Sequence, residues 1–185
     1  MTEPNWALSR VLPDALATEH FGAALANELR AGDLLVLTGP LGAGKTTLTR
    51  GIGAGFGVRG PITSPTFVLA RTHPSLGAGS PLVHVDAYRL SDARELDDLD
   101  LDFAGSLVVV EWGAGLLDGV AESWLELTLA RDPAASHATS ATASGQQDPG
   151  TPGLEPVEPE WDAEPRQLLI RGFGPRWAQP PAALD

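Results

Sequence analysis

Leu34-Leu35-Val36-Leu37-Thr38-Gly39-Pro40-Leu41-Gly42-Ala43-Gly44-Lys45-Thr46-Thr47 is an apolar, strand-like run that breaks into the pattern G-x-x-x-x-G-K-T. This spacing makes consecutive backbone N–H groups converge on a phosphate. Gly39, Gly42 and Gly44 allow the backbone to approach an anion that a Cβ would hold off. A helix that starts near Lys45 then points its unpaired N–H groups and positive dipole end at the same anion. The residues of the loop have expected parts in binding a nucleoside triphosphate. Leu41, Gly42, Ala43 and Gly44 offer amides, Lys45 reaches the β- and γ-phosphates, Thr46 presents a hydroxyl to Mg²⁺, and the Thr47 amide meets the α-phosphate.

Composition sharpens the reading. Of the twelve Lys and Arg residues, Lys45 is the single lysine and all the others are arginine. The one compact ammonium stands where a point charge on phosphate is needed.

The 185 residues suit one domain with one core, and the expected unit is a single P-loop domain over 1–185. No apolar run approaches the length of a membrane span, and Met1-Thr2-Glu3-Pro4 lacks the basic and apolar regions of a signal peptide, so a cytoplasmic protein is expected. With no cysteine, disulfides, thiolate zinc sites and a cysteine nucleophile are excluded. A formal charge of −12 argues against broad direct contact with nucleic acid. Much of the acid is concentrated: Asp132, Asp148, Glu155, Glu158, Glu160, Asp162 and Glu164 occur in 132–165 with no Lys or Arg among them. That stretch is rich in Pro, Ala, Ser, Thr and Gly, with Leu154, Val157 and Trp161 as its large apolar residues. It is expected to be a disordered insertion in a hairpin loop.

Upstream of the loop, Ala7 to Leu12 reads as a strand, and Asp14 caps an amphipathic helix with Leu16, Phe21, Leu25 and Leu29 on one face and Gly32 at its C-terminal cap. Downstream, the helix from Lys45 turns Leu48 and Ile52 inward and frays in Gly53-Ala54-Gly55-Phe56-Gly57. In Ile62-Thr63-Ser64-Pro65-Thr66-Phe67-Val68-Leu69, a hydroxyl-rich turn leads into a strand. Ser64 and Thr66 can sense a γ-phosphate and its metal as switch segments do, although an ordinary Ser-Pro turn has the same composition. Leu82 to Val85 is a strand ending at Asp86, and Ser91 to Phe103 reads as an acidic helix. Leu107-Val108-Val109-Val110 suits a parallel strand buried on both faces, with Glu111 at its C-terminal end and Trp112 after it. Two strand-end acids and one magnesium ion leave two arrangements open, since either could serve the metal while the other orients or deprotonates water. Trp124 to Leu129 and Arg166 to Ile170 pair as a hairpin.

Four motifs in this order resemble one family: the P-loop, Thr63-Ser64-Pro65-Thr66-Phe67, His84-Val85-Asp86-Ala87-Tyr88-Arg89, and Val110-Glu111-Trp112. The resemblance is to the TsaE or YjeE type of small bacterial P-loop ATPase, which serves tRNA threonylcarbamoyladenosine biosynthesis. It implies a three-layer α/β P-loop fold with a mostly parallel sheet and a C-terminal antiparallel hairpin. It also implies hydrolysis of Mg²⁺·ATP within a complex that contains the TsaD and TsaB proteins, with tRNA reached only through that complex. By likeness Lys45, Asp86 and Glu111 are catalytic, Thr46 and Glu111 serve the metal, Trp112 lies beside the nucleotide, Ser64 and Thr66 form the switch, and adenine sits near Leu12 to Thr18. Pro40 departs from an acid common in the family at that position. Two other readings share the P-loop: a small-molecule or nucleotide kinase, disfavoured because 132–165 has no Arg for a lid, and a non-enzymatic ATP-loaded switch.

Overall fold

The computed structural model describes residues 2–90, 95, 101–115, 121–131 and 164–184. Of the acidic helix expected over Ser91 to Phe103, Glu95 is helical, 101–103 are not, and the other residues lie outside the described ones, as does nearly all of the 132–165 insertion. The helices and strands, in chain order, are β1 (Trp6–Leu12), α1 (Ala15–Leu25), β2 (Leu34–Thr38), α2 (Lys45–Phe56), β3 (Ala70–His73), β4 (Leu82–Asp86), β5 (Leu107–Glu111), β6 (Trp124–Arg131) and β7 (Arg166–Phe173).

The strands form one sheet in the order β1-β7-β6-β2-β5-β4-β3. β2 lies between β5 and β6 and is parallel to both, and β4 is parallel to β5. β7 runs against both β6 and β1, and β3 runs against β4. Five strands therefore point the same way and end at one edge of the sheet, where open α/β sheets collect their ligands. Leu34 to Leu37 and Leu107 to Val110 are buried throughout because their strands are covered on both faces.

On one face α1 and α2 pack over Leu35, Leu37, Val109, Leu125 and Leu127. On the other, Leu90, Leu101, Phe103 and Ala121 close over Val36, Val83, Val85, Val108 and Val110. Burial of such side chains stabilises the fold by about 1.5–3 kcal/mol each.

Four local expectations need correction. α1 ends at Leu25 and tightens into a 3₁₀ turn over Ala26–Glu28, so Gly32 is no helix cap; it donates its N–H to the Ser106 carbonyl at 2.9 Å. Leu16 is 61% exposed and lies off the buried face. α2 does not fray at its glycines but runs to Phe56 and closes on Gly57 at φ 75°. The reason is packing: a Cβ on Gly51 would come within 2.0 Å of the Glu19 carbonyl oxygen, and one on Gly22 within 2.5 Å of the Leu48 oxygen. The glycines let the two helices touch backbone to backbone, and tertiary contact outweighs the propensity cost of Gly in a helix. Finally, 62–69 is irregular and the strand begins at Ala70. Leu69 takes φ 63°, and its carbonyl accepts the Asp86 N–H at 2.8 Å, so the chain turns sharply before it can pair as a strand.

Candidate nucleotide site

The P-loop spans the gap between the end of β2 and the start of α2. Gly39, at φ 137°, begins the turn, and a Cβ there would come within 2.1 Å of the Leu129 carbonyl oxygen, so the loop can lie against β6 only with glycine at this position. Gly44 is the N-cap of α2 and has no side chain to engage the first amides of the helix. Those amides keep their hydrogen-bonding capacity for an anion.

Lys45, the first residue of α2, is buried, and its Nζ donates to the carbonyls of Gly39 at 2.9 Å and Pro40 at 3.1 Å. The ammonium lies 3.8 Å from the centroid of the Trp112 ring. Burial pushes the Lys45 pKa below its ordinary value, while the negative charges of Glu111 and Asp86 partly offset the shift. Trp112 holds its ring there from a left-handed backbone at φ 65°, anchored by its N–H to the Leu37 carbonyl at 2.8 Å, with Tyr88 edge-on at 5.4 Å. Such strain in a non-glycine residue persists where the surroundings fix it, and clusters at functional sites.

The two strand-end acids are side by side in register, Asp86 on β4 opposite Glu111 on β5. Their partners differ. Glu111 Oε1 accepts the Thr46 hydroxyl at 2.9 Å and lies 2.9 Å from His84 Nε2. Asp86 Oδ2 accepts the Thr66 hydroxyl at 2.5 Å, and Oδ1 accepts the Tyr88 N–H at 3.0 Å. Thr66 also lies 2.7 Å from the Ser64 hydroxyl. The hydroxyl-rich turn is therefore tied to Asp86, while Glu111 is tied to the P-loop.

Together these residues line a cleft of about 350 Å³ that includes Lys45, Thr46, Thr47, Asp86, Glu111 and Trp112. Leu41 lines its mouth at 88% exposure, so any role it has in binding falls to its backbone. Of the Leu12 to Thr18 segment, Ala15 reaches the cleft, whereas Thr18 is fully buried with its hydroxyl on the Asp14 carbonyl. No group of three or more His, Cys, Asp or Glu capable of holding a metal occurs among the described residues. One hydroxyl and one carboxylate instead suit a Mg²⁺ ion that keeps waters and phosphate oxygens as its other ligands.

Three side chains of the site were not singled out from the sequence. His84 is buried behind Glu111, and Arg131 and Arg166 reach the P-loop from the C-terminal hairpin. His84 stands within the third motif, whereas nothing in the sequence tied either arginine to the loop.

The family profile described as "Threonylcarbamoyl adenosine biosynthesis protein TsaE" matches residues 12–139. The tRNA threonylcarbamoyladenosine biosynthesis protein TsaE of Streptomyces coelicolor is 50% identical over 162 residues, covering 86% of this chain and 93% of that protein. Its counterpart in Mycobacterium leprae is 49% identical over 123 residues, covering 62% of this chain and 76% of that one. Bacillus subtilis YdiB, a crystal structure, superposes with a TM-score of 0.60 at 23% identity over 91% of this chain and 87% of its own, which supports the fold.

Proposed function

Because this chain belongs to the TsaE family of threonylcarbamoyl adenosine biosynthesis proteins, we propose that its cleft binds Mg²⁺·ATP and hydrolyses it to ADP in support of a TsaD–TsaB complex. The tRNA is reached only through those partners. The observation that carries the proposal is the 2.9 Å hydrogen bond from Thr46 to Glu111, which ties the P-loop hydroxyl to a strand-end carboxylate beside the only lysine. When bound, Mg²⁺ would neutralise charge developing on the phosphates, with Thr46 and Glu111 as the residues that serve it.

In this reading the protein's own groups divide the work. The P-loop amides and Lys45 hold the polyphosphate. Thr46 donates its hydroxyl proton to Glu111, which leaves the oxygen lone pairs free for the cation. Asp86 orients the attacking water; both of its oxygens are already positioned by Thr66 and Tyr88, so its orientation is set before substrate arrives. The water oxygen bonds to the γ-phosphorus as the bond to the β–γ bridging oxygen breaks, the electron pair of that bond goes to ADP, and of the water's two protons one stays on the phosphate and the other passes to solvent. Ser64 and Thr66 link Asp86 to the exposed turn that carries Phe67 and Val68, giving partners a handle on turnover.

The test is ATP hydrolysis by the full chain, alone and with TsaB and TsaD, beside Lys45→Ala and Glu111→Ala. Phosphate release that rises with the partners and vanishes in both variants supports the proposal. ATP binding through Lys45 with no hydrolysis under any condition would instead make the protein a nucleotide switch. Transfer of phosphate to a small acceptor would make it a kinase.

A further inference from the structure

Four buried side-chain N and O atoms have no hydrogen-bond partner among the described residues, and two of them are imidazole nitrogens of one strand pair, Nε2 of His73 and Nδ1 of His84. His73 closes β3 and is 4% exposed, and His84 stands in the middle of β4, fully buried. In the antiparallel register His73 faces Leu82 and His84 faces Arg71. The two histidines are therefore diagonal neighbours on one face of the sheet, the face where Leu82 shares a cluster with Leu48 and Ile52 of α2. Side chains in this relation are within reach of each other, and a charge on His84 is felt at His73.

The other contacts of each ring fix where its proton sits. His84 Nε2 lies 2.9 Å from Glu111 Oε1, which also accepts the Thr46 hydroxyl. A carboxylate oxygen accepts, so Nε2 carries the proton and Nδ1 of the neutral ring is a lone pair. His73 is hydrogen-bonded to the Arg59 backbone, whose N–H is already given to the Pro74 carbonyl at 2.8 Å. The Arg59 carbonyl therefore accepts from Nδ1 of His73, which leaves Nε2 as the lone pair. Two buried acceptors thus stand as neighbours with no protein donor for either. Neither ring can supply the missing proton without giving up the bond on its far side.

A buried polar atom left unpaired carries the full cost of its lost hydration, and a water molecule has the two O–H donors that this pair of acceptors needs. We infer that His73 and His84 share an internal water that donates one proton to each ring, and that His73 is thereby a positioning residue for the Glu111 carboxylate. The line of bonds runs from the Arg59 carbonyl through His73, the water, His84 and Glu111 to Thr46 in the P-loop. Its effect is on the tautomer. With Nδ1 of His84 engaged as an acceptor, the ring proton stays on Nε2, where it holds Glu111 beside Thr46. The service of that carboxylate to a cation rests on the nucleotide reading given above, whereas the water does not.

The experiment is long-range ¹H–¹⁵N spectroscopy of the full chain, labelled at its four histidines, in mildly alkaline buffer without nucleotide. It is run beside His73→Phe and His73→Gln and followed by Mg²⁺ titrations of ATP affinity. Expected in the parent are a proton on Nε2 of His84 and on Nδ1 of His73, acceptor-type shifts for the other two nitrogens, and magnetisation transfer from water to both rings. In His73→Phe the water loses a partner, and the His84 nitrogens shift towards a mixture of the two tautomers. The Gln amide oxygen accepts the same water proton, so His73→Gln keeps the His84 spectrum of the parent, a recovery that a merely structural role would not give. On the nucleotide reading, the factor by which Mg²⁺ tightens ATP falls about threefold in His73→Phe and returns in His73→Gln. A proton on Nδ1 of His84, no transfer from water, or an unmoved His84 spectrum in a folded His73→Phe overturns the inference. If His73→Phe does not fold, as judged by its melting curve, the parent spectrum and His73→Gln decide it. An unchanged Mg²⁺ factor beside a shifted His84 keeps the water and overturns the positioning role. A parent that does not bind ATP overturns the nucleotide reading instead, while the spectra still decide on the water.

Discussion

His84 Nε2 lies 2.9 Å from Glu111 Oε1, the same oxygen that accepts the Thr46 hydroxyl, and the imidazole is fully buried. Among the described residues its Nδ1 has no hydrogen-bond partner. His84 and Thr46 thus hold the same Glu111 oxygen from opposite partners, β4 and the P-loop. Replacing His84 by Phe keeps the ring and removes the N–H, and is expected to weaken the effect of Mg²⁺ on ATP binding about tenfold. Gln places an amide N–H near the position of Nε2 and is expected to recover most of that loss. Mg²⁺ titrations of ATP affinity check this; equal behaviour of the Phe and Gln variants would show that the hydrogen bond is not what counts.

The proposed ATP binding at Lys45 should be coupled to proton uptake at alkaline pH. Its folded pKa is lowered by burial, so between that value and 10.5 the apo native state has released a proton that the unfolded chain still holds. Native stability therefore rises with pH across that window, and below it the full cost of burying the charge stands. A phosphate beside Lys45 favours the charged form, so ATP binding should take up a proton within the window, and affinity should fall as pH rises through it. Binding enthalpies measured in buffers of different ionisation heat report the uptake. The signal should be absent in Lys45→Met, and its persistence there would assign the proton elsewhere.

Gly51 is the close contact between α1 and α2. Gly51→Ala pushes a methyl group into the Glu19 carbonyl, which can move only with its helix. The expected cost is about 2–3 kcal/mol, despite the better helix propensity of Ala. For a domain of this size that is a fall in melting temperature on the order of 5–10 °C. Gly57→Ala gives a useful contrast, since its Cβ would meet nothing within 4 Å and only its φ of 75° opposes it. A Gly51→Ala melting curve at or above that of the parent would contradict backbone contact at this position.

His73 makes the fold sensitive to acid. It is buried, its Nε2 has no hydrogen-bond partner among the described residues, and burial, with the neighbouring His84 next, holds its pKa below the usual 6.5. As pH falls below 6.5 the unfolded chain takes up a proton that the native imidazole does not, so stability declines until the lowered folded pKa is passed. Denaturant unfolding at pH 7.5 and 5.5 should show a smaller drop for His73→Phe than for the parent. Equal drops would place the acid sensitivity on other groups.

What the sequence by itself determined is what short-range chemistry determines. The glycines and lysine of the P-loop, the capping Asp14, the unbroken apolar run Leu107 to Val110 and the acids that close two strands each declare themselves within a dozen residues, because spacing and side-chain type alone produce the effect. The glycines of α2 misled for the same reason: read locally they weaken a helix, and only the neighbouring α1 makes them necessary. Which of the two strand-end acids meets the P-loop was likewise left open by the sequence. It depends on which carboxylate the sheet register brings to Thr46, a residue 65 positions from Glu111. Arg166 is more distant still, separated from Gly44 by most of the chain and delivered by a hairpin that crosses back beside β6. Such pairings are set by strand order and packing summed over the whole core, and no single stretch of residues contains them.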